Sequence, residues 1–215
     1  MQRYPAVLCF YAAGVGCVGS GQYETLGALF TTPRATFQNQ DEPFAASMFA
    51  WSVLEPYIIA ERNIVLPGLE QSWCPFSDRL EKTLRPLLLD VLPANFPFTW
   101  YFDRFELMTA LALDAFSDIG GLDIALLFRT SNGEGPPDVI HHIAAALREL
   151  KAQQERWPPF RMGFLSQMDA NRTVIEKLTS FMQNWEQATK SSKAYWSGHP
   201  PQEFYRTMKK IDLHQ

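Results

Sequence analysis

Apolar positions recur at helical spacing along most of this chain. Over residues 5–20, Ala6, Phe10, Ala13 and Cys17 follow one another at steps of four, three and four, and Val7, Tyr11, Gly14 and Val18 fill the adjoining face. A helix that is apolar nearly all round is expected to be buried, and Pro5 is harmless in its first turn. Gly14 and Gly16 would each cost up to about 1 kcal/mol relative to alanine, so they imply a neighbouring helix that approaches closely. Gly19 and Gly21 end the helix. "QYETLGALFTTP" then makes a short second helix that stops before Pro33.

The later pattern is also helical. Residues 42–56 carry Phe44, Met48 and Trp51 on one face, ending at Pro56, whereas 64–76 is broken by Pro67, Gly68 and Pro75 and reads as a loop. Ser77 is placed to cap a helix over 78–93 that Pro86 should kink or restart. The longest uninterrupted helical stretch is 99–121, "TWYFDRFELMTALALDAFSDIGG". Asp138 caps 139–156, with Val139, Ile143, Leu147 and Leu150 inward and Arg148, Glu149, Lys151 and Glu155 outward. Residues 122–130 read as a strand or a buried helix end, "WPPFRMGFL" (157–165) is a second strand candidate, and Ser166 and Asp169 open a last helix striped by Val174, Leu178, Phe181 and Trp185. The expectation is a mainly α fold, a multi-helix orthogonal bundle with one short β-hairpin.

Composition narrows the function. The 215 residues, 47% hydrophobic and 20% charged, are ample for one large domain, here 1–189, followed by a tail over 190–215. A net charge of −4 gives no general attraction to phosphate backbones, so no nucleic-acid partner is expected. From Lys190 onward five basic residues face two acidic ones, a mildly basic tail on an acidic body. A solvated terminus is the simplest account of it; docking on an acidic partner or another part of a longer chain is the alternative. Cys9, Cys17 and Cys74 form no paired framework or metal spacing and read as small core residues of a cytoplasmic protein. Pro5 and a single preceding basic residue, Arg3, argue against an export signal. The apolar run there falls short of the ~20 residues of a membrane span, so no membrane is expected.

The spacing GxGxxG at Gly14, Gly16 and Gly19 raises a dinucleotide site. Such a loop needs a following strand that ends in an acidic residue. Asp41 and Glu42 stand near the required distance, but "ATFQNQDEPF" lacks the aliphatic run of a buried parallel strand. The helical hairpin is the better reading, and no cofactor is expected.

The strongest chemical cluster is "WYFDRFE", in which charged groups sit among aromatic ones. Trp100, Arg104, Leu107, Met108 and Leu111 share one helical side, which sets Arg104 in an apolar stripe. A buried arginine must be paired, whether by Asp103, Glu106, a carboxylate from another helix or a ligand anion. A core ion pair is preferred; a small-molecule or nucleotide-binding enzyme with its site built on Arg104, Asp103, Glu106 and Trp100 is the alternative. His141 and His142 point about 100° apart on a helix, and neither has a carboxylate one turn on. Asp114 and Asp118 share a face, but no metal motif, GxSxG elbow or Walker loop accompanies them, so neither a metal nor a catalytic residue is assigned.

Taken together, "FYAAGVGCVGSGQYETLGALF", "WYFDRFELMTALALDAF" and "WPPFRMGFL" resemble the C-terminal helical region of multidomain bacterial defence or signalling proteins. The resemblance covers about three quarters of the chain and implies a scaffold or sensor portion without the effector domain. Protein association, with a partner or with further copies of itself, is what it implies, rather than turnover.

Overall fold

The computed structural model describes residues 4–35, 41–43, 75–116 and 156–163, together with positions 142, 145, 146, 148, 149, 152 and 153. These residues are mainly helical. Helix α1 (Tyr4–Ser20) is followed by α2 (Tyr23–Thr31), strands β1 (Pro33–Ala35) and β2 (Asp41–Pro43), α3 (Pro75–Leu88), α4 (Phe98–Phe116) and a single turn, α5 (Pro158–Arg161). Helix α1 packs against α2, α3 and α4; α3 also meets α4, and α5 lies on α2.

The α1–α2 hairpin follows from its glycines. Gly21 takes φ of 69°, a left-handed conformation that costs glycine nothing. The Gln22 N–H then reaches the Cys17 carbonyl at 2.9 Å and the Gly21 N–H reaches that of Val18 at 3.3 Å, closing the end of α1 with paired bonds. Gly14 supplies the expected close approach, since a Cβ there would lie 1.9 Å from Cε2 of Phe105 on α4. Gly27 does the same for α2, where a Cβ would lie 2.0 Å from the Met162 carbonyl oxygen. Gly16 meets nothing within 4 Å, so packing does not explain it.

An aromatic core fills the space between α1, α2 and α4. Phe105 stands at its centre, with ring centroids 5.5 Å from Phe10, 5.0 Å from Tyr11 and 6.0 Å from Phe30. Val7, Val15, Leu26, Leu80, Leu84, Phe102, Met108, Leu111 and Trp157 are also buried. The α1 face of Val7, Tyr11, Gly14 and Val18 is wholly inside, whereas Ala6, Cys9 and Ala13 are exposed. Helix α1 is therefore apolar on a side that faces out, because small residues cost little there, and Cys9 is no core residue.

Other expectations change in the same way. Helix α3 starts at Pro75, so Ser77 lies inside the first turn and is no N-cap; its hydroxyl donates to Glu106 Oε1 at 3.1 Å instead. Pro75 suits that entry because its missing N–H would have had no helical partner. Pro86 neither breaks nor restarts α3, which ends two residues later at Leu88. Residues 158–161 form a helical turn and Gly163 adopts φ of 77°, so "WPPFRMGFL" does not start as a strand. Paired prolines are tolerated at a helix entry and poorly in a ladder. The strand pairing seen joins β1 to β2 in antiparallel register, Arg34 opposite Glu42, where no strand is expected from the sequence. Of the expected helix at 42–56 only residues 42 and 43 are described, and they belong to β2 instead; the rest of it, the helix expected from 166, the strand candidate at 122–130 and the boundary at residue 190 lie outside the described residues.

Candidate functional site

Helix α4 carries three polar residues of a single turn into the core: Asp103, Arg104 and Glu106, all buried. Their partners come from elsewhere in the chain. The Arg104 guanidinium pairs with the Glu149 carboxylate, and its carbon lies 4.8 Å above the Trp100 ring. The His142 Nδ1 lies 2.6 Å from Asp103 Oδ2, and Ser77 from α3 holds Glu106. Arg104 Nε is buried and makes no hydrogen bond.

Of the residues singled out from the sequence, Trp100 and Arg104 do stack together, whereas Asp103 and Glu106 turn to partners on other elements. Glu149, expected to point outward, reaches Arg104, with 30% of its side chain exposed against 5% for the arginine. A signal for this was present. His142, Ala146 and Glu149 follow at steps of four and three, a face beside the Ile143–Leu147–Leu150 stripe, and Ala146 is small enough to let another helix close on it. His142 also has its orienting carboxylate after all, but across the fold rather than one turn along.

Ahead of α4 lies a second feature that the hydrophobic pattern conceals. Leu87, Leu89, Val91 and Phe96 are 62%, 56%, 74% and 45% exposed, four large apolar side chains within ten residues. Leu87 belongs to the last turn of α3, and the loop that carries the other three is tied to α4 at Pro93, Asn95 and Phe96. The Tyr101 phenol, whose pKa burial pushes up, lies 2.8 Å from the Pro93 carbonyl and 2.7 Å from the Asn95 amide. Its single proton serves one of them, and an amide turned the other way would donate back. Phe96 lies flat on Trp100, centroids 4.2 Å apart and planes 9° apart, and Trp100 also carries the Arg104 guanidinium. The Glu149–Arg104–Trp100 chain of contacts thus ends under an exposed phenylalanine.

The chain matches no protein-family model, curated protein or solved structure. Among the described residues no three histidine, cysteine or acidic groups converge on a metal site, and no helix is long and apolar enough to cross a membrane. Burial pushes the Cys17 thiol up, which lowers its thiolate fraction at neutral pH.

Gly14, Gly16 and Gly19 lie within α1, not in a strand-to-helix loop. Gly16→Ala is accordingly expected to raise unfolding free energy by up to about 1 kcal/mol, because its methyl enters open space. Thermal unfolding checks this, and micromolar NAD binding that the substitution abolishes would contradict it.

Proposed function

We propose that this chain is a non-catalytic helical protein-interaction module, a scaffold or sensor, and that its docking surface is the apolar patch of Leu87, Leu89, Val91 and Phe96. The observation that carries this is the concentration of exposed apolar side chains between the last turn of α3 and the start of α4, where Phe96 stacks on Trp100. Scattered exposed leucines are ordinary on a protein surface; a cluster of them backed by stacked rings is a feature of interfaces. The charged residues of α4 support the same reading. Arg104 meets a carboxylate of its own chain, the arrangement of a structural ion pair and not of a guanidinium awaiting a ligand anion.

In this reading the helices form an orthogonal bundle with a short hairpin, and Trp100 and Arg104 are positioning residues for the patch. Placement in a bacterial defence or signalling system, in the cytoplasm, rests on the sequence resemblance and the cysteine usage.

Affinity capture with the whole chain tests the proposal. A partner, or further copies of the chain, should be retained by the wild type and lost with Leu89→Glu/Val91→Glu, since two carboxylates placed in an apolar interface cost several kcal/mol, on the order of a hundredfold or more in affinity. An identical set of captured proteins from both would overturn it.

A further inference from the structure

Resting on that reading, the outward face of α3 also narrows what docks there. The helical path continues past Leu88, because the Leu89 N–H donates to the Arg85 carbonyl and the Leu92 N–H to that of Leu88, both at 3.0 Å. Leu80, Leu84 and Leu88 turn toward the core, which sets Pro86 on the opposite, exposed side. Leu87 and Leu89, 62% and 56% exposed, fall to either side of Pro86. Lys82 stands four residues before Pro86 and Asp90 four residues after it, both exposed. Each therefore lies about 6 Å from Pro86 along the axis, and the two are turned from it by about 40° in opposite senses.

The other charges near this face are taken up or lie farther off. Arg85, which also borders Leu89, pairs with Glu81 of its own chain, whereas among the described residues Lys82 and Asp90 make no ion pair. Asp78 and Arg79, of opposite sign, stand a turn beyond Lys82. What remains is an apolar centre with one cation at one end and one anion at the other, at equal spacing. A two-fold axis through Pro86, perpendicular to the helix, exchanges positions equally far before and after it, so it lays the cation of each copy on the anion of the other. Such a face is complementary to itself. A parallel pairing would set like charges together.

We infer that a second copy of this chain docks on α3, the two helices antiparallel about a two-fold axis through Pro86, with Lys82 of each copy opposite Asp90 of the other and Leu87 and Leu89 closed between them.

Sedimentation equilibrium of the full chain tests this. The mass should rise from monomer toward dimer between about 1 and 100 µM, the range of a small interface with few apolar anchors. Lys82→Asp and Asp90→Lys should each weaken self-association by about tenfold or more, because each sets like charges opposite one another at two places. Mixed in equal amounts, the two variants should associate with one another to within about threefold of the wild type, since a doubly acidic face then meets a doubly basic one. The mixture is also the control on folding, because unfolded variants could not restore association. A wild type that stays monomeric over the whole range, variants that associate as the wild type does, or a mixture that stays monomeric would each overturn the inference. The interaction-module reading would survive any of these, because capture of a foreign partner that Leu89→Glu/Val91→Glu abolishes does not depend on a second copy.

Discussion

Glu149→Ala is expected to cost the fold about 3 to 5 kcal/mol, the penalty for leaving a buried charge without its partner. The asymmetry of the pair makes this a sharp expectation. Arg104 is nearly sealed while Glu149 is about a third exposed, so a stranded Glu149 can turn to water and a stranded Arg104 cannot. Arg104→Met, which keeps the stem against Trp100 but removes the charge, should therefore cost roughly half as much. Combining Arg104→Met with Glu149→Gln should recover part of the loss, and urea unfolding of the single and double variants gives the coupling directly. If Glu149→Ala were as stable as the wild type, Arg104 would have another use, and the ligand site built on Arg104, Asp103, Glu106 and Trp100 would become the better reading.

Phe105→Ala should cost about 3 to 5 kcal/mol, because its ring is fully buried against Phe10, Tyr11 and Phe30. Gly14→Ala acts on the same place from the other side. Its methyl would enter the Phe105 ring, and overpacking of that kind costs about 1 to 3 kcal/mol. The two changes should not add. Removing the ring vacates the space the methyl needs, so the double variant should be at least about 1 kcal/mol more stable than the sum of the single losses implies. Additive losses would mean that α1 does not approach α4 at Gly14.

Local rules made much of this architecture legible. Proline at the start of α1, the glycine at its end and the stop before Pro33 placed the α1–α2 hairpin nearly to the residue. Gly14 announced a close helix contact, though Gly16, which looks the same in the sequence, did not make one. Long-range pairing was less readable. Arg104 was marked as buried by its aromatic neighbours, but which carboxylate met it depended on how 142–149 lies on α4, and periodicity assigns a face without naming what it faces. Ser77 shows the same limit, since its hydroxyl serves Glu106 across the helix interface rather than its own backbone. The apolar patch was least legible, because "LLLDVLP" is apolar around Asp90 without a period that tells Leu88 and Leu92, which pack on the core, from Leu87, Leu89 and Val91, which are exposed.

The most direct test of the whole account is the urea unfolding curve of Leu89→Glu/Val91→Glu. If these side chains form a docking surface, the midpoint should shift by no more than about 1 kcal/mol equivalent, as surface substitutions do, with the slope unchanged. A loss of about 2 kcal/mol or more would place Leu89 and Val91 in the core and contradict the assignment of this patch as the interaction site.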